Sequence, residues 1–171
     1  MSDQHNNEET LQGLLDLVHN YTAKSEKESL DIVNKFSTQI QKKLSKNLSD
    51  ISEIFTSLDE ATHSQPIYLS NIPFISLCEH HLLPFFGSFD LAVFPKSKIA
   101  GISKFSDLIN HLSNDLTLQE KITKQTAEII HRELDPEGVL VRVTAKHLCS
   151  LNLNISVCLL YTSDAADERH C

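Results

Sequence analysis

Cys78, His81 and Cys149 carry side chains of the kind that bind a borderline-soft divalent metal. Cys78 and His81, within Cys78-Glu79-His80-His81, have the C-x-x-H spacing of half a zinc site, and Cys149, in His147-Leu148-Cys149, brings a second thiolate from a distant segment. Three protein ligands leave one corner of a tetrahedral Zn2+ shell for water, and that open corner separates a hydrolytic zinc from a structural one. His80 and His147 flank these positions, and imidazole titrates near neutral pH, which suits proton transfer. The residue types alone also fit a blander arrangement, with two cysteines buried in a core and a histidine facing water.

Such a site constrains the chain around it. Residues i and i+2 of a strand share a face, so a strand running through His147-Leu148-Cys149 points both side chains into one cavity. The separation of Cys78 and His81 is odd, so the chain has to bend between them. Leu82-Leu83-Pro84 favours a bend there, because the residue before a proline is pushed out of the helical region. A strand ending near Cys78 and a tight turn presenting His81 are expected.

The other elements follow from periodicity. After a polar start over residues 1–8, Leu11, Leu14, Leu15, Val18 and Tyr21 keep helical spacing. Ser25 with Glu28 forms a capping box for a second helix, whose stripe is Val33, Phe36, Ile40 and Leu44. A third stripe runs Leu48, Ile51, Ile54, Phe55, Leu58; the sequence leaves open whether it continues the second helix. Residues 59–66 lose periodicity and read as a linker. Ile67-Tyr68-Leu69, the run 72–77 and the run 82–94, interrupted at Gly87, read as strands. Ser103 is the expected N-cap of a helix with Leu108, Ile109 and Leu112 inward. Thr117 and Glu120 make a second capping box, opening a helix with Ile122, Ala127, Ile129, Ile130 and Leu134 inward. Asp135-Pro136-Glu137-Gly138 is a turn, and Val139 to Thr144 alternates as a strand leading to His147.

This order predicts an α+β domain, an antiparallel four-stranded sheet with two helices on one face, preceded by an N-terminal helical region. The division expected is a helical arm and linker over 1–65, a zinc-binding domain over 66–157, and a tail over 158–171 that reads as non-native and is left out of the fold. One sheet face and both edges stay bare, which association into a larger closed sheet would cover.

Composition bounds the partners. The 171 residues carry a net charge of −8, which argues against a general nucleic-acid or anionic-membrane surface, since both need a basic stripe. The polar, acidic start has no signal-peptide core and no run is long enough to span a bilayer, so a cytoplasmic protein is expected. Four cysteines in such a chain suit metal binding or free thiols better than a disulfide framework.

Four motifs together are specific. Ile75-Ser76-Leu77-Cys78-Glu79-His80-His81-Leu82-Leu83-Pro84-Phe85, Gly101-Ile102-Ser103-Lys104, Gln119-Glu120-Lys121-Ile122-Thr123 and Ala145-Lys146-His147-Leu148-Cys149 resemble, in order and spacing, the GTP cyclohydrolase I family. The resemblance covers about residues 66–149. It implies the tunnelling fold, homo-oligomeric rings (a decamer is one candidate size) and sites at subunit interfaces. It implies hydrolytic opening of the GTP imidazole ring, loss of C8 as formate, and closure to 7,8-dihydroneopterin triphosphate, the first step of tetrahydrofolate and pterin biosynthesis. By the same resemblance Cys78, His81 and Cys149 hold Zn2+, and His80 and His147 move protons. Glu120, with Gln119 beside it, grips guanine, and Ser103 and Lys104 meet the triphosphate.

The chain also departs from the family's pattern. Asp107, Asn114-Asp115 and Leu153-Asn154 stand where basic residues are usual, and the N-terminal Asp-Thr-Pro-x-Arg signature is absent. Exchanging arginine for aspartate near a phosphate turns attraction into repulsion. Two function classes therefore stand side by side. Retained His80, His147 and Glu120 favour the enzyme. The lost arginines favour a non-catalytic, zinc-stapled homologue acting as an assembly or regulatory module, or a cyclohydrolase for another purine. Glu120 has a second reading as a capping residue, and His80 and His147 as groups that orient the metal ligands.

Overall fold

The computed structural model describes residues 2–44, 51–56, 58–60, 65–153 and 156–162. The chain divides into two compact units, Met1–Ser45 and Lys46–Cys171.

The first unit is a helical pair, α1 (Ser2–Tyr21) and α2 (Glu26–Leu44). α1 begins earlier than periodicity implies. The capping box at α2 forms: the Ser25 N–H and hydroxyl donate to Glu28 Oε2 at 2.9 and 2.7 Å, and the Glu28 N–H donates to Ser25 Oγ at 3.4 Å. Glu28 is accordingly held below the usual glutamate value, the Ser25 N–H being the largest cause. Ser29 and Val33 are buried, whereas Phe36 and Tyr21, expected inward, are exposed.

The second unit contains α3 (Ile51–Ile54), β1 (Leu58–Glu60), β2 (Ile67–Cys78), β3 (Pro84–Phe94), β4 (Lys98–Ala100), α4 (Ile102–Ser113), β5 (Leu116–Thr117), α5 (Gln119–Leu134), β6 (Gly138–His147), a 3-10 helix (Leu148–Leu153) and β7 (Ser156–Thr162). The main sheet has the order β5-β2-β3-β6-β7, antiparallel except for the short parallel pairing of β5 with β2. The expected four-stranded antiparallel sheet is thus present as β2, β3, β6 and β7, with one short strand added. β1 and β4 form a separate antiparallel pair.

Ile54 and Phe55, placed in the arm by sequence, belong instead to this unit's core, with Phe55 edge-on to Phe105 at 6.4 Å. Their aromatic and branched side chains have apolar surface to bury there. Residues 58–60, expected at the end of the arm and the start of the linker, pair as a strand. Whether α2 continues towards α3, and how Leu48 lies, falls outside the described residues.

The strand segments on either side of Ser70 are one strand with a bulge. The register shifts between Leu69 and Ile72, and Asn71 takes φ 58°, a conformation asparagine tolerates better than most residues. The Asn71 N–H donates to Asp90 Oδ1 at 2.9 Å, while Arg142 donates to Asp90 Oδ2 at 2.9 and 2.8 Å. Gly87 does not interrupt β3. It pairs with Phe74 and Ala145, and a Cβ there would lie 1.9 Å from the carbonyl oxygen of Thr144.

The inner face packs Phe74, Phe85, Phe89 and Leu91 with Val141 and Val143 against Leu108 and Ile109 of α4 and Ile122 and Ile130 of α5. Phe74 meets Phe85 and Phe89 edge-on, at 5.6 and 4.9 Å. Each fully buried side chain of this size contributes roughly 2 kcal/mol relative to exposure. The outer face leaves Tyr68, Ile75, Phe86 and Phe94 exposed. α5 ends at Asp135 in the left-handed conformation, whose N–H donates to the His131 carbonyl at 3.0 Å, and Pro136 follows.

β7 runs across the boundary drawn at residue 157, pairing through Thr162, and residues 163–171 lie outside the described residues. Cys78 and Cys149 are free thiols while Cys158 is disulfide-bonded, so the expectation against disulfides holds only for the first two. Among the described residues no helix is long and apolar enough to cross a membrane.

Candidate metal centre

β2 ends at Cys78, and the chain folds back at once. The Leu82 N–H donates to the Cys78 carbonyl at 2.8 Å, the Cys78 N–H donates to the Leu83 carbonyl at 2.9 Å, and Leu82 takes φ 55°. This is the bend that the odd spacing of Cys78 and His81 requires. Its approach is anchored by the neighbouring segment: the Glu79 N–H donates to the Thr117 carbonyl at 3.2 Å, and Lys121 Nζ lies 3.4 Å from Glu79 Oε2.

The other half of the site differs from expectation. β6 stops at His147, and Cys149 lies in the 3-10 helix rather than on the strand. The turn after the strand, kinked at Ser150 with φ −115° and ψ 17°, and not strand alternation, positions its sulfur. The ligand atoms of Cys78, His81 and Cys149 all lie within 4.8 Å of one another, with Cys78 Sγ 3.7 Å from His81 Nδ1. Cys78 is buried, while His81 and Cys149 are exposed, so a metal could enter from solvent. Two sulfurs and one imidazole nitrogen suit zinc-like ions rather than calcium or magnesium, which take oxygen.

His147 is held on two sides. Its ring stacks on Phe85 at 4.9 Å with 7° between planes, as the pairing of Phe85 with His147 places it. Its Nε2 lies 2.8 Å from Gln119 Oε1, and Gln119 Nε2 donates to the Val143 carbonyl at 2.9 Å. Burial holds His147 below the ordinary histidine value, against the opposing pull of the Glu120 carboxylate. His80 is exposed and edge-on to His81, with ring centroids 6.0 Å apart.

The helix starts differ from the sequence reading. α5 starts after Leu118, with no side-chain cap, because Thr117 is already paired with Cys78 in β5. Glu120 is therefore exposed in the first turn and not engaged in a capping box. Similarly Gly101, not Ser103, is the N-cap of α4, which leaves Ser103 and Lys104 in its first turn. Among the described residues no hydrogen bond, ion pair or ring contact links either to the metal centre. The roles of Phe85 and of buried Gln119 were not legible as such; the β3–β6 register is the signal that would have paired Phe85 with His147.

The family model for GTP cyclohydrolase I matches residues 9–158. The chain is 48% identical over 88 residues to GTP cyclohydrolase 1 of Clostridioides difficile, covering 51% of this chain and 46% of that protein. It is 49% identical over 83 residues to that of Helicobacter pylori strain G27, covering 48% and 46%. For Rickettsia africae the values are 44% over 101 residues, covering 58% and 53%. The chain thus spans about half the length of the curated relatives it matches. Among solved structures, an archaeosine synthase QueF-like protein in the apo form superposes with a TM-score of 0.52 at 16% identity, covering 63% of this chain and 100% of that one. At that identity the likeness concerns the fold, a tunnelling fold.

Proposed function

This chain belongs to the GTP cyclohydrolase I family, and from that premise we propose that it is a zinc-dependent hydrolase which opens the imidazole ring of GTP, releases C8 as formate and yields 7,8-dihydroneopterin triphosphate. The observation that carries the proposal is the convergence of Cys78, His81 and Cys149 beside two histidines. Ligand atoms around tetrahedral zinc stand about 3.5–3.8 Å apart for the usual bond lengths, and the 3.7 Å between Cys78 Sγ and His81 Nδ1 fits that spacing. When bound, zinc supplies Lewis acidity that lowers the pKa of water towards neutrality.

The chain's own residues supply the rest. Cys78 and Cys149 would hold the metal as thiolates and His81 through a ring nitrogen. His80 and His147 take protons from the attacking water and return them to the departing ring nitrogen, so that neither charge builds up. Glu120, unengaged at the start of α5, accepts N–H bonds from the guanine edge. Ser103 and Lys104 sit at the N-terminus of α4, which no side chain caps, a setting that favours phosphate. Exposed Tyr68, Ile75, Phe86 and Phe94 support a homo-oligomeric ring in which this face is covered. The second unit, Lys46–Cys171, forms the catalytic domain, and a cytoplasmic setting keeps the ligand thiols reduced.

The test is incubation of the zinc-loaded full chain with GTP, following formate release and pterin fluorescence. Equal amounts of formate and pterin are expected. Stoichiometric zinc in an intact ring without formate would reject the enzyme and leave the zinc-stapled module.

A further inference from the structure

The geometry points to Gln119 as a positioning residue that fixes the orientation and the neutral-ring tautomer of His147, keeping the hydrogen on Nε2. Its kinetic test rests on the proposed function, and the inference removes Gln119 from the guanine contacts that resemblance assigns to it.

Gln119 is 1% exposed, too deep to meet a ligand at the surface. Its amide orientation follows from its neighbours. Gln119 Nε2 donates to the Val143 carbonyl at 2.9 Å; a flipped amide would set oxygen against oxygen there. Oε1 therefore faces His147 Nε2 at 2.8 Å, and a carbonyl oxygen can only accept, so that nitrogen carries the hydrogen. A ring turned over would present carbon to the same oxygen and lose the bond. The Phe85 stack limits the remaining freedom of the ring plane. Thr123 Oγ1 donates to the Gln119 carbonyl at 2.5 Å and ties the residue into the first turn of α5. Among the described residues Nδ1 of His147 has no hydrogen-bond partner.

The experiment is long-range 1H–15N correlation of His147 in the 15N-labelled, zinc-loaded full chain, assigned by its loss in His147→Gln. The expected pattern is a protonated, pyrrole-type Nε2 and a pyridine-type Nδ1 in the neutral ring. Gln119→Leu, which removes the acceptor, should give a mixture of tautomers. With GTP, Gln119→Leu should lower kcat about ten- to a hundredfold, the usual cost of losing an orienting partner, with KM changed less than about twofold because no substrate contact is lost. A proton on Nδ1 in the wild-type neutral ring overturns the inference, as does a rise in KM at constant kcat. The tautomer is read without turnover, so a chain that does not act on GTP can still show Gln119 doing what is inferred here. If Gln119→Leu does not fold, the wild-type spectrum decides.

Discussion

Replacing Gly87 by alanine should destabilise the second unit by about 3 kcal/mol, a large effect for one methyl group. Gly87 lies in the middle of β3, where β6 passes so close that a Cβ would stand 1.9 Å from the Thr144 carbonyl oxygen and 2.8 Å from Ala145 Cα. Both neighbours are backbone, which cannot swing aside as a side chain does. Ordinary contact begins near 3.4 Å, so the strands must part locally by roughly 1.5 Å. Overpacking of this sort costs about 1–3 kcal/mol, and each ladder hydrogen bond strained adds roughly 0.5–1.5 kcal/mol. For a chain of this size about 3 kcal/mol corresponds to roughly 6–12 °C in Tm. The same shift reaches the site, because Phe85, two residues before Gly87, pairs with His147. Gly13→Ala is the control: nothing lies within 4 Å of its Cβ and it sits inside α1, so it should gain about 0.5–1 kcal/mol of helix stability. Urea denaturation followed by circular dichroism, comparing midpoints at constant m-value, gives both numbers. A Gly87→Ala protein within about 0.5 kcal/mol of wild type, less than one strained ladder bond, would refute the close approach of the strands.

Further tests address the bulge, the cap and the chemistry. Burial alone would raise the Asp90 carboxyl, but the Asn71 N–H and Arg142 together bring it below the usual aspartate value. A carboxyl lowered on folding stabilises the fold above its unfolded pKa and loses that contribution as pH falls through the folded one. Denaturation midpoints of wild type and Asp90→Asn should therefore differ at neutral pH and converge as pH drops below the ordinary 3.8. Ser25→Ala should cost the α2 start about 1 kcal/mol, read as faster amide exchange in its first turn. His80→Asn should keep the metal and lower kcat about 10²–10⁴-fold if His80 transfers a proton, whereas a purely surface role would leave kcat unchanged; stopped-flow pterin fluorescence separates the two.

The sequence carried the fold class because strand and helix stripes alternate cleanly, and it carried the bend at Cys78 because odd spacing admits no straight strand. Helix starts were less legible. Ser25 and Glu28 cap α2 as their spacing implies, but Thr117 with Glu120, the same pattern, does not cap α5, since Thr117 is taken up by β5 against Cys78. A local motif loses when tertiary pairing claims one of its members. Cys149 shows the reverse limit: strand alternation placed it beside His147, and the 3-10 turn that places it among the ligands has no hydrophobic period to announce it. Gln119 looked like a surface neighbour of Glu120; its burial depends on where α5 lies against β6, which no single segment encodes.

Everything chemical depends on three side chains sharing one ion. Cobalt loaded into the full chain reports the ligand shell directly, through thiolate-to-metal charge transfer and the intensity of the tetrahedral ligand-field bands. One cobalt per chain with a two-thiolate shell is expected, lost stepwise in Cys78→Ser and Cys149→Ser and altered in His81→Ala. A bound cobalt with no thiolate signal, or one that survives both cysteine replacements unchanged, would contradict the metal centre.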